Sequence, residues 1–334
     1  MAFQMFVVVS CALCGVADCQ GVTFRSYLLE GANGVFVLNL KKLFADRAGT
    51  KQLQKTFADF VPSPLSAAIK HRSETFDVVR DIDRLTVVKA NSLCPRKGKY
   101  HNKPLPCTFY AIIEGEIDSQ KIRAYLEWLS RKAPIKATSQ RVRSISLWEV
   151  KTGDKVCYVA VPQRGTMIIS GARQHIVDTL SKSGSKKPGH LGGTIAELLK
   201  RVNCRGVAGW VASSDMIIGT FYKGTQSITV EHITLAANGI KSVVGSVTGR
   251  DRLDVEMSIA CKNAHVAEKI GDELVSFAKR GANVLRERGK DFEPLRESLK
   301  TVTVTSKNDV VRLQWTLTAG AISGLLKTLY DDSL

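Results

Sequence analysis

The hydrophobic positions of the chain repeat one pattern twice, a strand that leads directly into an amphipathic helix. In residues 252–280, four apolar residues alternate with polar ones, as in a strand with one buried face: Leu253, Val255, Met257 and Ile259. Further apolar residues then recur at helical spacing: Val266, Ile270, Leu274 and Phe277. Residues 108–132 have the same design, with Asp118 at the expected helix N-cap and a helical stripe of Ile122, Leu126 and Leu129.

Further strands and helices flank both stretches. In the first half the pattern predicts strands at 34–40, 82–90, 108–117, 144–151, 155–161 and 166–170, with helices at 41–60, 118–133 and 173–181. In the second half it predicts strands at 206–212, 228–235, 240–248, 252–260, 299–305 and 310–317, with helices at 194–202, after residue 261 and at 319–330. Both halves therefore share the order strand, strand, strand, helix, two strands, helix. The first half adds an early helix and one strand, and the second half adds its opening helix at 194–202 and one strand.

Between the halves, residues 181–193 combine glycine, serine, proline and lysine without periodicity, which is typical of a linker. We place a linker at 183–193 between two related domains, 21–182 and 194–332. The short turns between strands favour an α+β fold in which each domain is a mainly antiparallel sheet with helices packed on one face.

The first residues resemble a secretory leader. The apolar run of residues 3–16 is too short for a stable membrane anchor, which needs about 20 residues. Gly15 and Ala17 are small residues placed as a signal peptidase requires before Asp18, although no lysine or arginine precedes the run. We expect residues 1–17 to be a signal peptide and the protein to be exported to the periplasm or cell envelope. The alternatives are lipoprotein-like processing at Cys19 and a first buried element of a cytoplasmic protein.

Three segments carry a resemblance to a known group of proteins. They are residues 35–57, VFVLNLKKLFADRAGTKQLQKTF, residues 81–90, DIDRLTVVKA, and residues 149–171, EVKTGDKVCYVAVPQRGTMIISG. The chain resembles an uncharacterised family of exported bacterial proteins with a duplicated α+β body. The family has no assigned activity, so the resemblance implies fold and location and assigns no catalytic residue.

The cysteines give a candidate disulfide. Cys94 and Cys107 bracket a polar, proline-rich loop, and a bridge between them would stabilise the fold by about 3 kcal/mol in an oxidising compartment. His101 lies in the same loop, so the three side chains are also a candidate metal-ligand set, which the disulfide interpretation outweighs. Cys157, Cys204 and Cys261 sit in or beside apolar runs and are expected to be core thiols.

The charge balance points to an anionic partner. Lysine and arginine number 48 against 31 aspartate and glutamate residues, a surplus of 17 that would attract phosphates, acidic glycans or anionic lipid surfaces. The basic residues are scattered, and their densest clusters are Arg96, Lys97, Lys99 and Lys103, and Lys182, Lys186 and Lys187. The second cluster supplies the candidate anion-contacting residues. This scattered distribution weakens the case for an anionic partner, and it favours a solvated basic surface over a specific nucleic-acid role.

No motif for catalysis, metal or cofactor binding emerges, and none of these is predicted. The sequence GSVTG at 245–249 has its serine one place early for a nucleophile elbow. His265 and Glu268 lie three residues apart without the HExxH pattern. Paired carboxylates, Glu114 with Glu116 and Asp81 with Asp83, are geometrically able to act as acid and base, although such pairs are usually solvated.

These observations favour an exported, non-enzymatic envelope protein that binds or scaffolds an acidic glycan, a lipid surface or another envelope protein. One alternative is a cytoplasmic basic protein associated with nucleic acid. The other is a hydrolase whose site is assembled from distant residues.

Overall fold

The computed structural model describes residues 27–28, 31–44, 76–90, 110–132, 134–153, 155–182, 193–202, 206–214, 239–249, 252–287, 289–318 and 320–322. The chain divides into two compact units, a first unit of residues 20–196 and a second unit of residues 1–19 and 197–334. The architecture is α+β, with antiparallel strands and several helices, as the hydrophobic pattern predicted.

The first unit contains seven described strands and four described helices. The strands are β1 (Ala32–Asn39), β2 (Ile82–Ala90), β3 (Tyr110–Gly115), β4 (Ile135–Val142), β5 (Ile145–Thr152), β6 (Lys155–Gln163) and β7 (Thr166–Ser170). The helices are α1 (Leu40–Phe44), α2 (Val78–Asp81), α3 (Ser119–Lys132) and α4 (Arg173–Lys182). A further helix, α5 (Gly193–Leu199), contains the boundary between the two units.

The strands of the first unit lie in the order β1-β2-β3-β7-β6-β5-β4, and every described pairing is antiparallel. After three consecutive strands the chain passes through α3 to the far edge and returns strand by strand, so that the last strand pairs with the third. Tyr110 of β3 thus lies opposite Ser170 of β7. β4 is left at the edge of this sheet.

The core of the first unit is centred on β3 and β7. Residues Tyr110 to Ile113 are all buried, as are all five residues of β7, so both faces of the sheet are covered there and the period-two alternation is lost. The Tyr110 hydroxyl donates to the Tyr27 carbonyl at 2.6 Å and lies 3.1 Å from the Thr179 hydroxyl of α4. α3 buries the predicted stripe, Ile122, Leu126 and Leu129, together with Tyr125.

The second unit is built from β8 (Ala208–Ser213), β9 (Ile240–Thr248), β10 (Arg252–Cys261), α6 (Ala264–Glu287), a 3-10 turn (Lys290–Phe292), α7 (Glu293–Leu299), β11 (Thr303–Lys307) and β12 (Val310–Thr318). Its strands lie in the order β8-β9-β10-β12-β11, and every described pairing is antiparallel. Again the last strand pairs with the third.

The alternation predicted for β10 is confirmed. Its inward residues and those of β12 form one buried face: Leu253, Val255, Met257, Ile259, Val311, Leu313, Trp315 and Leu317. α7 packs on this face, where the Trp315 indole donates to the Ser298 carbonyl at 2.9 Å and to its hydroxyl at 2.7 Å. The Asp118 carboxylate caps α3 by accepting from the Lys121 amide at 2.7 Å, as predicted.

Two elements differ from the sequence expectation. β4 was not predicted, because its residues are mostly polar and exposed and leave no apolar alternation. α7 occupies 293–299, where a charged segment and the start of a strand were expected; Pro294 lies in its first turn, where a missing amide is tolerated. Most of the predicted helix at 41–60, the predicted strand at 228–235 and most of the predicted helix at 319–330 lie outside the described residues.

The thiols of Cys157 in β6 and Cys261 in β10 are buried and unbridged, as expected for core cysteines. Burial raises the pKa of the Cys157 thiol to about 12 and, to a smaller extent, that of Cys261. Cys204 lies outside the described residues.

Candidate functional site

A run of basic residues without acidic neighbours borders the sheet of the first unit. Between residues 131 and 148 the chain carries five basic residues and no acidic one. We call these five the basic edge: Arg131, Lys132, Lys136, Arg141 and Arg143. All five are exposed.

The local fold explains how these side chains come together. α3 ends on Arg131 and Lys132, where positive charge interacts favourably with the helix dipole. Beyond Pro134 the chain enters β4, which pairs antiparallel with β5 through a two-residue turn at 143–144. Arg143 occupies that turn with a φ of 57°, a conformation that tight hairpins require.

Along β4 the basic side chains lie on both faces. Lys136 lies opposite Lys151 of β5, and Arg141 lies opposite Ser146. Because successive strand residues point to opposite faces, residues 136 and 141, five apart, project on opposite sides of the sheet. Arg173 at the start of α4 donates to the Gln140 side chain at 3.2 Å and brings a further exposed cation beside the strand.

The positive charge of the basic edge is not compensated. No carboxylate of the described residues forms an ion pair with any of its five side chains. The single described contact is a long bond of 3.4 Å from the Arg143 guanidinium to the Ser181 carbonyl. The acids that flank the segment are bound by other bases, Glu127 by Arg123 at 3.1 Å and Glu149 by Lys151 at 2.6 Å. The hydrogen bond from Lys151 holds the pKa of Glu149 below its ordinary value. The segment therefore presents a positive field to solvent.

A second charged cluster lies where β2 begins. The Asp81 carboxylate, 1% exposed, accepts from the Arg80 guanidinium at 2.8 Å, the Asp77 amide at 2.7 Å and the Lys121 ammonium at 3.1 Å. Burial opposes its charge, but these donors outweigh burial and lower the pKa of Asp81. With its oxygens fully occupied, Asp81 fixes α2 against α3.

The neighbouring Glu114 is held differently. Arg84 donates to it across the β2–β3 pair at 3.0 Å, with 21% of the arginine and 14% of the glutamate side chain exposed. Burial raises the pKa of Glu114, and the guanidinium only partly offsets this effect. The Arg84 Nε atom is buried without a hydrogen-bond partner among the described residues. The Arg84 guanidinium thus has one N–H donor that no acceptor of the described residues satisfies.

Three of the four carboxylates that the sequence offered as possible acid–base pairs are bound by basic side chains. Glu114 bonds to Arg84, Asp81 precedes its strand and bonds to Arg80 and Lys121, and Asp83 bonds to Lys41 at 3.2 Å. Glu116 is exposed, and its carboxylate forms no ion pair among the described residues, as expected for a solvated side chain.

A serine and a histidine also meet in the first unit. Ser170, at the end of β7, accepts from the Ala172 amide at 3.1 Å, and its hydroxyl lies 3.2 Å from His175 Nδ1 on α4. Ser170 is fully buried. These contacts fit a side chain that caps the start of α4.

Most of the predicted site residues fall outside the described part of the chain. Cys94, Cys107, Lys186 and Lys187 lie there, so the disulfide and most of the anion-contacting cluster remain predictions. Lys182 is the last residue of α4.

Among the other candidates that the sequence raised, His265 and Glu268 lie exposed on α6. Ser246, the serine of GSVTG, lies buried in the strand β9, as predicted.

Sequence reasoning overlooked the basic edge because local density of lysine and arginine is higher at 96–103 and 182–187. The absence of acidic residues over 131–148 is the signal that could have identified it. Within the described residues there is no group of three or more His, Cys, Asp or Glu side chains placed to hold a metal ion. None of the helices described is both long enough and apolar enough to cross a membrane.

No protein-family model matches the chain, and no curated protein matches it. Among solved structures, the chain resembles crystal form IV of TP0453 with a TM-score of 0.50 and 10% sequence identity, over 91% of this chain and 96% of that one. Crystal form I of TP0453 gives a TM-score of 0.49 and 8% identity over the same shares. At this level of identity the similarity to form IV concerns the fold alone.

Proposed function

We propose that this is an exported, non-enzymatic protein of the bacterial envelope that binds an acidic partner through the basic edge. The observation that supports this proposal is the set of five exposed basic side chains, none of which pairs with a carboxylate of the described residues. Like charges held close together raise the electrostatic energy of the folded chain, and an anion bound among them lowers it.

The location rests on the leader of residues 1–17. Cell fractionation combined with mass determination of the mature amino terminus tests it. We expect the protein in the periplasmic or envelope fraction with Asp18 as its first residue. Recovery in the cytoplasm with an intact leader would contradict export.

We further propose that the two units are related domains that arose by duplication. In each, three antiparallel strands are followed by a helix, and the chain then returns so that its last strand pairs with the third, as β7 with β3 and β12 with β10. The first unit inserts additional strands into the return path. Each domain is proposed to carry its helices mainly on one face of its sheet.

Anion binding is tested with a panel of heparin, polyglutamate, an oligothymidylate and phosphatidylglycerol vesicles. The variant Arg131→Glu, Lys136→Glu, Arg141→Glu should weaken binding to at least one probe by about tenfold or more, and the wild-type affinity should fall with salt. The matched control changes Lys262, Lys269 and Lys279 to Glu, which are exposed residues of the second unit and give the same change in net charge. Equal weakening by both variants, or no binding to any probe, would contradict the proposal.

A second candidate function is hydrolysis, because Glu114 has a raised pKa beside an arginine with an unpartnered nitrogen. A buried carboxyl of this kind is able to serve as a general acid. Activity toward glycoside, ester and phosphoester substrates that is lost in Glu114→Gln but retained in Glu149→Gln would establish it. The absence of turnover with all three classes would remove it.

A further inference from the structure

We infer that β4 accepts an extended acidic polypeptide segment as an additional antiparallel strand. The inference rests on the proposed function, since it assigns a chemical class to the acidic partner. It uses two observations together: β4 is an edge strand, and its charge is positive and uncompensated.

The backbone of β4 is accessible for such pairing. β5 pairs with one side of β4, and no described strand pairs with the other. Four consecutive residues, Thr138 to Arg141, are exposed. An edge strand presents alternate amide and carbonyl groups to solvent, and eight residues extend over about 26 Å, enough for a short peptide to form several ladder hydrogen bonds.

The charge of β4 disfavours a second copy of the chain as the occupant. In a symmetric antiparallel pair centred between Thr138 and Ser139, Lys136 of one copy would lie opposite Arg141 of the other, and the same contact would recur at the second end. Like charges directly opposite one another in a sheet are destabilising. Proteins in general place charged residues, lysine above all, on edge strands to prevent self-pairing. An acidic strand in the same position would replace both repulsions by attractions.

The distribution of the charge over two faces favours a strand over a flat or stacked polyanion. Lys136 and Arg141 project to opposite faces, so a planar anionic surface cannot contact both, whereas a strand carrying acidic residues five positions apart can. Residues 131–143 include no aromatic side chain on which nucleic-acid bases could stack. Arg143, in the turn that ends β4, adds a positive charge for an acidic residue beyond the paired segment.

The probe is a fluorescein-labelled octapeptide, Thr-Glu-Val-Thr-Thr-Val-Glu-Thr, with two aspartates added at each end. Its glutamates are five positions apart and match residues 136 and 141. A twin peptide of identical sequence carries N-methyl groups on alternate backbone nitrogens, which removes amide donors without changing the charge. Fluorescence anisotropy with the full chain measures both affinities.

We expect the N-methylated twin to bind at least about tenfold more weakly, because strand pairing depends on backbone hydrogen bonds and not on charge alone. The double variant Lys136→Glu, Arg141→Glu should bind the parent peptide more weakly by a similar factor. The control variant Lys269→Glu, Lys279→Glu should lower the affinity by less than about threefold. Ser139→Pro, which removes one edge amide while keeping every charge, should also weaken it. Circular dichroism and urea unfolding confirm that each variant is folded.

Equal binding of the parent and twin peptides, or an unchanged affinity of the parent peptide for Ser139→Pro, overturns strand addition. If the peptide does not bind but heparin, oligothymidylate or lipid vesicles bind in a manner sensitive to Arg131, Lys136 and Arg141, the inference fails while the proposed function stands. If no anion binds, both fail.

Discussion

Two carboxylates of the first unit, Asp81 and Glu114, show how the surroundings of a single residue set its protonation. Asp81 is buried but fully supplied with donors, so its pKa is lowered. Glu114 is partly buried and has a single arginine partner, which only partly offsets the effect of burial, so its pKa is raised. Burial opposes the charge of both carboxylates; the several donors around Asp81 outweigh it, whereas the single arginine at Glu114 does not.

Replacing Asp81 by Asn should destabilise the protein by about 2 to 3 kcal/mol at pH 7, because Arg80 and Lys121 lose their charged acceptor. Since the folded-state pKa of Asp81 is depressed, its contribution is complete above the unfolded value of about 3.9 and is lost as the pH falls through the folded value. Urea unfolding at several pH values should show the difference between wild type and variant shrinking below about pH 4.

The control is Asp178→Asn, an exposed aspartate of α4, which should change stability by less than about 0.5 kcal/mol. A difference between wild type and Asp81→Asn that stays constant from pH 7 to pH 3 would contradict the assigned charge.

At Gly245 the neighbouring Trp210 ring leaves no room for a side chain. It lies opposite Trp210 across the β8–β9 pair, and a Cβ atom there would overlap the indole ring. We expect Gly245→Ala to destabilise the second unit by about 1 to 3 kcal/mol, measured by thermal unfolding followed by tryptophan fluorescence. Adding Trp210→Leu should recover part of the loss, since the smaller side chain leaves room for the methyl group. No recovery in the double variant would show that the ring is not the cause.

At the level of elements, the second unit depends on how α7 is held against β12. The Ser298 hydroxyl accepts from Trp315 at 2.7 Å and donates to the Thr316 carbonyl at 2.8 Å, so one side chain joins helix and strand. Ser298 and Trp315 are both buried. A buried indole without this anchor keeps only its bond to the Ser298 carbonyl.

We therefore predict that Ser298→Ala lowers the free energy of unfolding by about 1 kcal/mol, the net value of a buried hydrogen bond. The matched variant Ser306→Ala removes an exposed hydroxyl that bonds to Ala267 at 3.2 Å, and should change stability by less than about 0.5 kcal/mol. Urea titrations of both variants provide the comparison. Equal effects would argue against a special role for the helix-to-strand contact.

The elements that the sequence predicted well are those that bury one regular face. β10 and α3 have clear periods because their apolar residues meet a core. β4 was not predicted because it is stabilised by backbone pairing with β5. Such pairing does not require an alternation of apolar and polar residues, which is the signal used to predict strands. The same exposure makes β4 the candidate binding surface, so the missed element and the missed site share one cause. The charge partners of Asp81 were likewise invisible, since only the fold brings Lys121 to it.

At the scale of the whole molecule, the surplus of 17 positive charges is the property on which the proposed anion binding depends. The surplus alone does not locate a surface. In the described residues many cations are paired, such as Lys200 with Glu197 at 2.6 Å, whereas those of the basic edge are not. Binding should therefore depend on a small subset of the basic residues and not on net charge.

The proposed export carries a further prediction for the intact protein. Cys94 and Cys107 should be bridged in protein recovered from the periplasm, and Cys94→Ser with Cys107→Ser should lower stability by about 3 kcal/mol. Peptide mapping with and without reduction identifies the bridge. Two unmodified thiols at these positions in exported protein would contradict the pairing, whereas a matched change at the buried Cys157 would report only on packing.

The two buried thiols allow the transient opening of each unit to be measured separately. Cys157 belongs to the first unit and Cys261 to the second, and neither is accessible to an alkylating reagent in the native fold. The rate at which each becomes alkylated in native buffer, read by mass spectrometry of the corresponding peptide, measures how often its unit opens. A ligand that occupies β4 should lower the alkylation rate of Cys157 and leave the alkylation rate of Cys261 unchanged.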